Sequence, residues 1–140
     1  MGSCIFCKII KGDEKGRILY RDDKVTAFLD AYPVTEGHVI VAFNKHVDNL
    51  LKLTDADFLH MMKVSRMLSK KMKEKLDSHF VNLITAESVI NHAFVHVIPR
   101  TDYDLMGIVP DMENKRAMSE EIMKTLQKKL GDGKNVKRKV

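Results

Sequence analysis

Residues 91–100 read Asn91-His92-Ala93-Phe94-Val95-His96-Val97-Ile98-Pro99-Arg100. Apolar and β-branched side chains carry the run. Pro99 has no backbone N–H to give to a ladder and is expected to end it, so a strand over residues 92–98 follows. Strand side chains alternate between faces, which puts His92, Phe94 and His96 on one face and Ala93, Val95 and Val97 on the other. Two imidazoles then flank one benzyl ring.

Outward from this strand, Phe80–Ile84 reads as the strand before it. Near the start, Ile18–Tyr20 and Val25–Leu29 are strand-like runs joined by Arg21-Asp22-Asp23-Lys24, a polar turn, and so form a hairpin. A loop from Pro33 to Gly37 leads to a third strand, His38–Phe43, which delivers Lys45-His46. Thr54 is placed to cap a helix whose first turn carries Asp55 and Asp57. Phe58, Met61, Met62, Ser65, Leu68, Met72 and Leu76 then recur at three- and four-residue steps, the stripe of a helix of about six turns. Ser119-Glu120-Glu121 opens a last helix with Ile122, Met123, Leu126 and Leu130 on its apolar side, closed by Gly131. Cys4 to Ile10 fits one or two helical turns ended by Gly12. No repeat or linker divides the chain.

At 140 residues, 44% hydrophobic and 31% charged, the chain suits one domain with a real core. No run reaches the apolar length of a membrane span and no secretory leader pattern opens the chain, so a cytoplasmic protein without membrane contact is expected. Gly2 does not complete a myristoylation motif, because Phe6 stands where Ser or Thr is wanted. The net charge is +5. It resides in residues 128–140, where Lys128, Lys129, Lys134, Lys137, Arg138 and Lys139 face Asp132 alone, so the body is neutral. We expect a domain over 1–127 and a solvated basic tail over 128–140, with nuclear import or contact with nucleic acid or protein as the tail's functional alternatives. Both cysteines lie in Cys4-Ile5-Phe6-Cys7. Cytosolic thiols stay reduced, and a redox pair would normally follow a strand, so metal is the better reading of this Cys-x-x-Cys.

The stretch around His92 resembles the signature of the histidine-triad (HIT) family, His-φ-His-φ-His-φ-φ with φ apolar, often followed by Pro-Arg. Cys-Ile-Phe-Cys-Lys-Ile-Ile, the Asp22-Asp23 turn, Phe28-Leu29-Asp30, Pro33, Gly37-His38 and Lys45-His46-Val47-Asp48-Asn49-Leu50 are similar to the family's landmarks in order, from Cys4 to Arg100. The resemblance implies an α+β fold, an antiparallel sheet of about five strands with one long and one C-terminal helix, paired as a symmetric homodimer. It also implies one structural zinc per chain, held by Cys4, Cys7, His46 and His92. These are two thiolates and two imidazoles that leave no position for water. It further implies a purine nucleoside or nucleotide slot formed by Ile5, Phe6, Ile9, Phe28 and Leu29, with Asp30 on the ribose. Ser88 and His96 would lie near the phosphate, and His38 would support the triad.

The middle triad histidine, which in the family attacks the α-phosphate, is replaced here by Phe94. Attack needs a nitrogen lone pair, and a phenyl ring has none. The loop Ile84-Thr85-Ala86-Glu87-Ser88-Val89 is short and lacks glycine. It offers Ser88 one hydrogen bond to phosphate but sets Glu87 where an anion approaches. The expected function is therefore a zinc-containing, nucleotide-binding pseudoenzyme. Two alternatives stand: a nucleotide hydrolase in which His96 acts as acid or base on water, and a dimeric interaction module.

Overall fold

The computed structural model describes residues 4–86 and 90–131. Five strands, β1 (Ile18–Arg21), β2 (Val25–Leu29), β3 (Val39–Phe43), β4 (Phe80–Ile84) and β5 (Phe94–Arg100), form one sheet in the order β1-β2-β3-β5-β4. Every neighbouring pair is antiparallel. The helices are α1 (Ile5–Lys11), α2 (Asp55–Lys75) and α3 (Glu120–Leu130). This is the α+β architecture expected from the sequence.

Alternation along the strands sends Val25, Ala27, Val39, Val41, Val95 and Val97 to one face, where Met61, Leu68 and Met72 of α2 and Met123, Leu126 and Leu130 of α3 cover them. The opposite face carries Phe28, Ile40, Ala42 and Phe94 and is covered by Phe6 and Ile10 of α1. The sheet thus separates two apolar layers, and α1 caps the layer that contains Phe94, with Ile90 beside it. β1 is an edge strand with a bulge between Ile18 and Tyr20. Its Ile18 carbonyl is met by Gln127 Nε2 of α3 at 3.0 Å, which blunts that edge.

α2 starts where the sequence places it. The Thr54 hydroxyl oxygen accepts from the Asp57 N–H at 3.2 Å, a cap worth about 1 kcal/mol. Its buried stripe is Met61, Val64, Ser65, Leu68 and Met72. Ser65 is accommodated because its hydroxyl donates to the Met61 carbonyl at 2.8 Å. Phe58, expected in the stripe, lies in the first turn of α2 and is 38% exposed. Ile122 of α3 likewise faces outward, while Leu130 is fully buried. α3 therefore continues through Lys128 and Lys129, and the boundary expected at residue 128 falls inside it. The rest of the basic tail, residues 132–140, lies outside the described residues.

Two expectations about the central strand are corrected. β5 does not stop at Pro99 but runs through it, with Pro99 opposite Val81 and Arg100 opposite Phe80. In a strand the N and C=O of one residue point the same way. The Pro99 carbonyl accepts from the Thr35 hydroxyl at 2.8 Å, so its nitrogen also faces the Pro33–Gly37 loop, and no bond to β4 is lost. His92 precedes β5 rather than belonging to it. The chain there is held by Ala93 N–H donating to Val47 O at 2.7 Å and by Phe43 N–H donating to Ala93 O at 3.0 Å.

Candidate functional site

Two polar clusters lie along the Phe94 face of the sheet, one at each side of its ring. The first sits where β3 ends and β5 begins. Because the strands are antiparallel, the residues just after Phe43 and just before Phe94 share one end of the sheet, which brings His46 beside His92. Their rings stand 5.1 Å apart, centre to centre. α1 lies over this end with Cys4 as its N-cap, whose sulfur accepts the Cys7 N–H at 3.5 Å. Gly12, at φ +87°, closes the helix in the left-handed region that suits glycine and turns the chain back toward β1.

Cys4 Sγ lies 3.3 Å from His92 Nδ1, Cys7 Sγ lies 3.2 Å from His46 Nδ1, and Cys7 Sγ lies 3.6 Å from His92 Nδ1. A tetrahedron with Zn–S of about 2.3 Å and Zn–N of about 2.0 Å sets sulfur and nitrogen about 3.5 Å apart, so the four donor atoms fit one ion. His92 Nε2 donates to the Phe43 carbonyl at 2.7 Å, which fixes the tautomer and leaves the Nδ1 lone pair facing the sulfurs. Burial, opposed by that carbonyl and assisted by His46, lowers the His92 pKa and keeps the ring neutral. Burial, with the Cys4 sulfur beside it, pushes the Cys7 thiol up. Both cysteines are free, and the set Cys4, Cys7, His46 and His92 could hold a metal ion.

The second cluster is Asp30, His38 and His96. Gly37, at φ +97°, makes the turn into β3 that buries His38; a Cβ there would stand 2.6 Å from Leu76 Cδ1. The Val34 backbone N–H donates to His38 Nδ1 at 3.1 Å, so this nitrogen carries no proton and the neutral ring holds its proton on Nε2. His38 Nε2 lies 2.9 Å from His96 Nδ1 and 3.5 Å from Asp30 Oδ2. The N–H therefore runs from His38 to His96, and His96 presents Nε2–H as a donor. A metal on His38 Nε2 would strip that proton from a ring whose other nitrogen already accepts, leaving an imidazolate. The second cluster is accordingly a hydrogen-bond relay and does not fit a cation.

Burial, with the Lys115 charge nearby, lowers His38 to about 4. Burial, His38 and Lys115, against the pull of Asp30, lower His96 to about 4. Both rings are neutral at pH 7. Burial raises the Asp30 carboxyl, while the Tyr32 N–H, 2.9 Å from Oδ1, together with His96 and Lys115, works the other way.

Phe94 separates the clusters. Its ring is 3% exposed, 5.0 Å from Phe6 and 5.0 Å from His96, both edge-on. Phe6 and Phe28, expected in a base slot, pack with it in the layer under α1, with Ile9 at the margin and Ile5 38% exposed. Leu29 does not join them: it packs on the other face, against the α2 layer, because it follows Phe28 by one residue and must point the opposite way. Glu87 and Ser88 lie outside the described residues. Lys115 was not legible as a site residue in the sequence, since no periodicity or motif marks the irregular stretch that carries it.

A HIT domain model matches residues 11–103. An uncharacterised HIT-like protein of Saccharolobus solfataricus is 32% identical over 131 residues, 88% of this chain and 94% of its own length. A hypothetical histidine triad nucleotide-binding protein from Sulfolobus tokodaii superposes with a TM-score of 0.80 at 32% identity, over 91% of this chain and 89% of that one. A Zn-bound histidine triad family protein from Mycobacterium smegmatis does so with a TM-score of 0.75 at 25% identity, over 92% of this chain and 94% of its own.

Proposed function

The chain belongs to the HIT domain family, and from that premise we propose that it is a zinc-containing nucleotide-binding protein that has lost the family's covalent chemistry. The observation that carries this reading is the Phe94 ring, which occupies the middle triad position and is buried between Phe6 and His96. It has no lone pair with which to attack phosphorus.

His96 does not replace the missing nucleophile. Its Nδ1 is engaged by His38 and its Nε2 carries the proton, so it can donate to a phosphate oxygen but cannot attack or act as a base from Nε2. Reversing the relay would require a proton on His38 Nδ1, where the Val34 N–H already points. The same relay speaks against the alternative of a hydrolase that uses His96 as base on water. Asp30, with one oxygen held by Tyr32 N–H, keeps acceptor capacity for ribose hydroxyls.

Cys4, Cys7, His46 and His92 would hold the zinc. The Zn-bound relative from Mycobacterium smegmatis supports that assignment. Bound there, the ion supplies a cross-link between α1 and the sheet and offers no open coordination position. His92 would commit Nδ1 to the metal, which removes the remaining imidazole that flanks Phe94 from nucleophilic use.

The experiment is incubation of zinc-loaded protein with a nucleoside phosphoramidate and with a labelled dinucleoside polyphosphate, followed by intact mass spectrometry, alongside a calorimetric titration with adenosine and guanosine nucleotides. Binding without a covalent nucleotidyl adduct is expected. An adduct on any histidine, or turnover abolished by His96→Ala, would overturn the reading.

A further inference from the structure

The irregular stretch between β5 and α3 passes back beside the Pro33–Gly37 loop. Arg116 N–H donates to the Pro33 carbonyl at 3.2 Å, tying residues 115–116 to the loop whose Val34 N–H holds His38 and whose Thr35 hydroxyl holds Pro99. The residue beside this tether is Lys115. Its side chain is exposed, and among the described residues it makes no hydrogen bond or ion pair. It is near enough to act electrostatically on Asp30, His38 and His96 together. This segment lies beyond residues 11–103, which the family model matches.

We propose that Lys115 is the phosphate-facing cation of the Asp30–His38–His96 cluster and makes it select nucleoside monophosphates over free nucleosides. The inference rests on the nucleotide-binding reading above. A pocket with a carboxylate for ribose and a single imidazole N–H for phosphate has little charge complementarity for a dianion. The Lys115 ammonium, without an ion-pair partner among the described residues, supplies it from a segment remote in sequence, without crowding the buried layer around Phe94. An ammonium on a flexible stem acts as a point charge, so it favours phosphate by charge and not by a fixed fork.

The test uses zinc-loaded full-length protein, titrated calorimetrically with AMP and with adenosine at low and at high salt, for wild type, Lys115→Ala and Lys115→Arg. Wild type should bind AMP more tightly than adenosine, with the margin shrinking as salt rises. Lys115→Ala should weaken AMP by roughly three- to fivefold and leave adenosine unchanged, the scale of one partly screened charge pair. Lys115→Arg should retain the preference. Adenosine and AMP binding equally to wild type, or Lys115→Ala weakening both alike or neither, overturns the role of Lys115 and leaves the nucleoside pocket standing. Wild type binding neither ligand removes the pocket and, with it, this proposal. Lys115 is exposed and lies outside the strands and helices, so an unchanged unfolding midpoint is expected for both variants.

Discussion

His38 Nε2 lies 2.9 Å from His96 Nδ1, and the proton between them belongs to His38 because Val34 N–H occupies its other nitrogen. Both rings are held near pKa 4 by burial, against an ordinary value of about 6.5 in the unfolded chain. Between those values the unfolded chain binds protons that the folded chain refuses. Stability should therefore be complete above about pH 6.5 and fall as pH drops toward 4, by up to about 1.4 kcal/mol per pH unit for each ring. Asp30, whose pKa is raised, gives back part of this close to its own range. Urea unfolding across pH 4–7 measures the slope. His38→Gln should flatten it, and an unchanged slope in that variant would show that the relay is not its source.

One equivalent of zinc per chain is the second expected outcome, measured by elemental analysis after exhaustive dialysis. Chelation should lower the unfolding temperature markedly, because the four ligands join residues 4 and 7 to residues 46 and 92. Cys7→Ser should reproduce the loss. Protein purified without stoichiometric metal, or with Cys4 and Cys7 oxidised together, would contradict the assignment.

Phe94→Ala should cost about 3–5 kcal/mol in urea unfolding, the usual range for emptying a buried aromatic site. Phe94→His restores the imidazole but should still yield no nucleotidyl adduct by mass spectrometry. The glycine-free sequence around Glu87 is expected to support phosphate poorly, and His96 remains held as a donor. Recovery of efficient turnover in Phe94→His would mean that the ring alone had silenced the site.

A homodimer is the fourth expectation. β4 is an edge strand, paired on one side by β5 among the described residues. Beside it Leu59, Met62, Phe80, Val81 and Leu83 line an open groove between α2 and the sheet, with Leu59 64% and Leu83 42% exposed. Sedimentation equilibrium at micromolar concentration checks it, and Leu83→Lys should shift the population to monomer.

The division of β5 into a Phe94–His96 face and a valine face was legible because period-2 alternation is a local rule that the tertiary structure had no reason to override. The caps at Thr54 and Ser119 were legible on the same footing. Leu29 was misjudged where resemblance replaced that rule: adjacent strand residues cannot line the same slot. Pro99 was misjudged because the direction of its nitrogen depends on which strand lies alongside, and β3 has not yet begun there. The proton direction between His38 and His96 depends on a backbone N–H from a loop, and the approach of Lys115 depends on a single tether to Pro33; neither leaves a trace in spacing.

α1 precedes every strand yet completes its packing only once residues near position 94 are present. Phe6 needs Phe28 and Phe94, and Cys4 needs His92, 88 residues away. During synthesis the first helix must wait, half covered, until the last strand has emerged, since contacts across so long a loop cannot form until both ends exist. The N-terminal segment is thus a latch that reports completion of the sheet: a chain truncated before residue 92 would leave Cys4 without His92 and Phe6 without Phe94.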